Sequence, residues 1–286
     1  MSATLATRKT AGSAPGRRAA SGPGSGRPAD VVQVTAANVV RSEWVKFRTL
    51  RSSWVMLLAA VVSLIAFALV LGYTTGSNWA GLDPEDSAPS AVLQGYRLVT
   101  MLIGVLGVLF VTGEYSTGMI RSTLAAVPRR TPVVAAKTLV FGAITLPAMV
   151  AASFAAFFGG QLFLAHYGHS TALTAPGVLR IVIGTGVFLA LVGVLGSAIG
   201  WILRNTAGGI STYLGLLLVL PLLTGFLPTS LSSHITPYLP SNAGEAFISS
   251  VRSPDALAPW TGLAVLVAWV VAALAVAVVQ LRRRDA

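Results

Sequence analysis

The amino-acid sequence predicts an all-α integral membrane protein with six transmembrane helices, an N-terminal interfacial helix and both termini in the cytoplasm. Three observations carry this expectation: six long apolar runs, a charge content far below that of a soluble domain, and basic residues gathered on alternate connections. The 286 residues are 54% apolar and only 10% charged, against roughly 25% charged in an ordinary globular domain. A water-soluble helical bundle needs polar stripes at the 3.6-residue period. Runs such as VMLLAAVVSLIAFALVLG and LAVLVAWVVAALAVAVV are instead apolar around their whole circumference.

A hydrocarbon layer about 30 Å thick requires roughly 20 mostly apolar residues per spanning helix. Runs at 54–73, 93–112, 135–164, 178–203, 210–227 and 261–281 meet or approach that length. The third and fourth exceed it, which tilt or an interfacial extension absorbs. The second is the weakest, since it reaches full length only by including Gln94, Gly95 and Arg97 near one interface, where an arginine snorkels. Pro147 and Pro221 fall inside the third and fifth runs and predict kinks. Gly104, Gly107, Gly159, Gly160, Gly193, Gly196 and Gly200 mark places where helices approach closely. No run carries a charge at its centre, which argues against a proton or sodium relay. A neutral, apolar pathway suits an amphipathic or lipid-like substrate better than a small ion.

Lys and Arg are enriched on cytoplasmic connections. With a cytoplasmic N-terminus, all but Arg97, Arg180 and Arg252 of the 20 basic residues fall on the inner side, and Asp83, Glu85 and Asp86 fall on the first outer loop. A multi-pass protein of the cell membrane follows, with both termini inside. The formal charge of +11 is then mostly topological. Anionic lipid headgroups are its natural partner, and nucleic acid is not, because no folded basic surface is available to carry it.

The chain is expected to divide into a basic cytoplasmic tail at 1–35 and a six-helix transmembrane domain at 36–286. The tail is rich in Ala, Gly, Ser, Pro and Arg and is expected to be disordered, having too little apolar surface to bury. It is not expected to be a signal peptide, since no apolar run begins before Trp54. Over 39–51, Val40, Trp44, Phe47 and Leu50 share about a third of a helical circumference while Arg41 and Arg48 project elsewhere. This predicts a helix lying on the inner membrane face, imperfect in that Glu43 and Arg51 intrude on its apolar arc.

The chemistry the chain excludes is equally informative. It has no cysteine, so disulfides and thiolate metal sites are ruled out. His166, His169 and His234 lie in connections, and no third ligand completes the His166 and His169 pair. No histidine falls within a span, no HExxH motif occurs, and no GxxxxGK[ST] phosphate loop is present. The chain is therefore expected to be no enzyme and to bind no cofactor itself.

The most specific stretch is GEYSTGMIRSTLAAVPRRTPVVAAKTLV, residues 113–140. Glu114 ends the second span, Gly118 follows it, and a short helix over 119–127 carries Arg121. Pro128 and Pro132 are expected to stop that helix, Arg129 and Arg130 follow the first proline, and Lys137 opens the third span. Read alone, these cations are ordinary inner-side charges. Glu114 at the end of its span is expected to pair with Arg121 or Lys46 rather than to carry protons.

In Glu114, Gly118, Arg121, Pro128 with Arg129 and Arg130, and Lys137, the chain resembles the permeases of the ATP-binding cassette type-2 family. Met119 departs from the threonine usual after the glycine. The acid, lysine and tryptophan common before the first span in that family are matched by Glu43, Lys46 and Trp54, and the interfacial set also holds Trp44 and Phe47. The resemblance covers 39–281, with only these two segments specific. It implies a permease subunit that couples through segment 113–137 to a separate ATPase subunit, which binds the ATP. It also implies a second permease copy or paralogue, outward transport, and short outer helices within 228–260. The alternative is an ATP-independent six-helix channel or carrier.

Overall fold

The computed structural model describes residues 35–79, 88–126, 131–250 and 255–283. Among these the regular structure is all helix, and six helices are long and apolar enough to cross a membrane. The basic tail, Pro128, Arg129 and Arg130 lie outside the described residues.

Helix α1 spans Ala36–Thr49, capped by the Thr35 hydroxyl, which accepts from the Asn38 amide. Lys46 and Arg48 lie in its last turn, where they complement the helix dipole. Leu50 then takes an extended conformation, and α2 (Arg51–Ser77), the first span, starts at the next residue. The second span is broken: α3 (Ala88–Leu93) and α4 (Tyr96–Ser116) are separated at Gln94 and Gly95, the polar residues that made this run the weakest in the sequence. A short helix α5 (Met119–Ala126) precedes α6 (Thr131–His166), the third span. Pro132 sits in the first turn of α6 rather than stopping α5; its missing N–H has no intrahelical partner to lose there. Helix α6 runs without a break through Pro147.

The fourth span, α7 (Val178–Leu203), is the centre of the bundle and packs against α4, α6 and α12. Its crossing with α4 has no room for side chains. A Cβ on Gly107 would lie 2.1 Å from the Gly193 oxygen, and one on Gly196 would lie 2.3 Å from the Gly104 oxygen. The α2–α6 crossing is nearly as close, a Cβ on Gly72 lying 2.6 Å from the Gly160 oxygen. In the absence of a hydrophobic drive between helices, such backbone proximity is what allows dispersion contacts to hold spans together.

The fifth span is composite. Helix α8 (Thr206–Leu214) passes into a π-helical stretch at Gly215–Val219 and then into α9 (Leu220–Thr224). Pro221 offers no N–H, and the Leu220 N–H reaches five residues back to the Gly215 carbonyl, so the proline is accommodated by a wider turn. Tyr213 is fully buried against α4 and donates to the Thr100 carbonyl at 2.8 Å. Leu218, Leu222, Leu223 and Phe226 are exposed.

The connection at 228–260 holds α10 (Thr229–Ile235), a 3-10 turn at Thr236–Tyr238 and α11 (Pro240–Ile248), after which α12 (Pro259–Arg283) forms the last span. Helix α11 folds back onto α7 and α12. The Arg180 guanidinium donates to the Phe247 carbonyl and, at 2.9 Å, to the Ser249 carbonyl. It thereby supplies partners to the C-terminal carbonyls of α11, which have none within the helix.

Candidate functional site

Two acids and two lysines meet where α1, α4, α5 and α6 converge. Glu43 comes from the middle of α1, Lys46 from one turn later, Glu114 from the last turn of α4 and Lys137 from the second turn of α6. Lys137 Nζ lies 2.7 Å from Glu43 Oε2 and 2.8 Å from Glu114 Oε1. Lys46 Nζ lies 2.6 Å from Glu43 Oε1 and 3.0 Å from Glu114 Oε1. Each lysine thus bridges both carboxylates, and the four charges cancel.

Glu43, Glu114 and Lys137 are buried, and Lys46 is partly so. Buried charges are tolerated only when paired and hydrogen-bonded, which explains why this set forms as a unit. The Lys137 ammonium also stands 4.4 Å from the centre of the Phe110 ring. Phe47 is fully buried beside it, edge-on to both Phe110 and Trp54. The Trp54 indole N–H donates to the Arg48 carbonyl at 3.2 Å, fixing the turn from α1 into α2.

Lys46 has three N–H donors and uses all three: Glu43, Glu114 and the Thr123 hydroxyl of α5 at 3.2 Å. Burial disfavours its ammonium, but the hydrogen bond and charge of Glu43, with the charge of Glu114, outweigh this and hold its pKa above the ordinary lysine value. Helix α5 is further seated by Ile120, which is buried among Val111, Val133, Val134 and Trp201. Gly118 makes the turn from α4 to α5 with φ of +72°. Open space surrounds the position a Cβ would take, so the requirement for glycine is conformational and not steric.

Of the residues the sequence singles out, the structure brings together Glu43, Lys46, Glu114 and Lys137, with Phe47 and Trp54 packed alongside. Arg121 is exposed on α5 beside exposed Ser122 and Ala125; of the two partners expected for Glu114, Lys46 is the one that pairs with it, and Lys137 is the second. The apolar arc expected on α1 divides: Phe47 is buried, whereas Trp44 and Leu50 are exposed. The buried face is Val39, Glu43 and Phe47, so Glu43 belongs to that face because the two lysines neutralise it. Thr123 had no signal in the sequence. At the other end of the bundle, His169 stacks on Trp79 with ring centres 4.1 Å apart, and no cluster of metal-ligating residues occurs among the described residues.

The sequence model of the ABC-2 family transporter proteins matches residues 39–218. The chain belongs to this family. No curated protein is similar enough to match it. The matched stretch of this ABC-2 family member begins in α1 and ends in the π-helical stretch, so it contains all four charged groups of the cluster. Together with the six spans, membership makes the chain a membrane-embedded permease component of a transporter.

Proposed function

We propose that this chain is the permease subunit of an ABC-type exporter, driven by a separate ATPase subunit that docks on α5. The observation that carries the reading is the Lys46 ammonium, which ties Thr123 of α5 to Glu43 of α1 and Glu114 of α4. Through the shared carboxylates the same set reaches Lys137 of α6. A push on α5 is therefore passed through the Thr123 hydrogen bond to the ends of two spans and to α1 together, because pulling α4 or α6 out of the set leaves a buried charge unpaired. Exposed Arg121, Ser122 and Ala125 offer the ATPase a small surface with one cation, suited to an acidic cleft.

In this reading the end bearing α1 and α5 is cytoplasmic, and exposed Trp44 and Leu50 rest among lipid headgroups. One chain of six spans supplies half of a pathway, completed by a second copy or a paralogue. ATP resides on the partner subunit.

The absence of native cysteine makes the test clean. A Ser122→Cys variant, expressed in its native membrane, is crosslinked and the product identified by mass spectrometry, with co-purification and ATPase assay of the wild type in parallel. Crosslinking to a P-loop ATPase supports the reading. Solute flux through liposomes holding the chain alone, with no ATPase recovered, would replace it with the ATP-independent channel or carrier.

A further inference from the structure

A cavity of about 590 Å³ opens at the end of the bundle opposite the charge cluster, between α4, α7, α9, α10 and α11. Its size falls in the range of small-molecule sites. Most of it is built by residues beyond the stretch matched to the family. Its chemistry is not that of an apolar pathway.

Three of the lining hydroxyls are committed as donors to their own helices. Thr185 donates to the Ile181 carbonyl at 2.8 Å, Thr224 to the Pro221 carbonyl at 2.7 Å and Ser232 to the Thr229 carbonyl at 3.3 Å. A hydroxyl whose hydrogen is spent on its own helix shows the cavity only lone pairs. Two carboxylates, Glu245 and Asp255, add further acceptors. The one cation in the described lining, Arg97, lies 3.9 Å from Glu245, much looser than the 2.6 to 3.0 Å pairs at the other end, and its side chain is 66% exposed. Arg180 does not compete, since its guanidinium holds the carbonyls of Phe247 and Ser249.

We propose that this cavity binds an organic molecule bearing a protonated amine with further N–H or O–H donors, the ammonium displacing Arg97 from Glu245. The inference takes the permease reading as its setting and names the ligand chemistry of the transported or sensed species. Glu245 is the principal binding group, Asp255 supports it, and the helix-bonded hydroxyls of Thr185, Thr224 and Ser232 receive the remaining donors. Arg97 is a competitor, so its removal is expected to strengthen binding.

The test uses the full chain in phosphatidylcholine nanodiscs, which carry no net lipid charge, and isothermal titration with spermidine or fully acetylated spermidine. Saturable binding of spermidine is expected, with acetylation weakening it by about tenfold or more. Glu245→Gln should weaken it by a similar factor, and Arg97→Gln should tighten it by about threefold. Equal binding of the acetylated form, or no saturable heat with spermidine, overturns the proposal. So does a loss of affinity in Arg97→Gln, which would make the Arg97–Glu245 contact merely structural. If Glu245→Gln does not fold, the acetylation comparison on the wild type still decides. Binding is read on this chain alone, so its failure leaves the ATPase-coupling reading standing, and failure to recover an ATPase leaves amine binding standing.

Discussion

Lys137 on α6 and Glu114 on α4 meet at 2.8 Å with both side chains almost fully withdrawn from solvent. Glu43, more deeply buried still on the other side of Lys137, makes the arrangement a bridge between two carboxylates. Removing one lysine leaves two buried carboxylates to share the other, and an uncompensated buried charge costs about 3–5 kcal/mol. Lys137→Met should therefore lower the thermal midpoint of the purified chain strongly, followed by tryptophan fluorescence in detergent. Lys137→Met combined with Glu114→Gln removes one charge of each sign and should recover part of that loss. A double variant as unstable as the sum of the singles would show that the two residues are not coupled.

Thr123 links α5 to Lys46 by one hydrogen bond at 3.2 Å. Thr123→Val keeps the shape and deletes the acceptor, an effect on stability of about 0.5–1.5 kcal/mol. Membrane insertion and the melting curve should change little. Stimulation of the partner's ATPase, assayed on the co-purified complex, should fall by several-fold if α5 transmits force through this contact.

Gly118→Ala tests the same joint through the backbone. At φ of +72° an alanine costs about 1–2 kcal/mol, with no clash to confuse the reading because nothing lies within 4 Å of its Cβ. The variant should insert normally while crosslinking from Ser122→Cys to the ATPase drops. Undiminished crosslinking would separate the conformation of this turn from docking.

The alkaline limb of stability should report Lys46. Its pKa is raised in the folded chain above the ordinary value of 10.5, so its contribution is fully present below that value and is lost as pH rises through the folded value. Wild type should lose stability in that alkaline window by an amount that Lys46→Met does not. Matching alkaline limbs for the two proteins would exclude Lys46 as the source.

The six spans are legible in the sequence because each is a local property, an apolar run of bilayer length. Their details required neighbours. The break at Gln94 and Gly95 falls on polar residues that only marked this run as the weakest, and Pro221 announced a distortion, but the widening into a π turn depends on which carbonyl the Leu220 N–H reaches. Glu43 looked like a flaw in the arc of α1 because its partner Lys137 lies far along the chain on another helix. Glu114 and Lys137 were each visible as charges at span ends, and the expected Lys46 partner is present, yet the joint bridging of both acids by both lysines is a tertiary fact. Helix α11 falls within 228–260, where the resemblance implies short outer helices, but its attachment was hidden, since Arg180 reads as a stray outer cation until it is seen holding the last carbonyls of that helix.

The glycines of α4 give a comparison within a single helix. A Cβ on Gly107 would lie 2.1 Å from the Gly193 oxygen and 2.9 Å from the Ser197 nitrogen, both backbone atoms that cannot move without shifting α7. On Gly113, two turns further on, a Cβ would meet nothing within 4 Å. Gly107→Ala should therefore destabilise the chain by about 1–3 kcal/mol through overpacking. Gly113→Ala should be neutral or stabilise it by up to about 1 kcal/mol through helix propensity. Thermal melts of both variants in one detergent measure the difference directly. Equal midpoints would mean that α4 and α7 separate at little cost and that the crossing does not hold the bundle together.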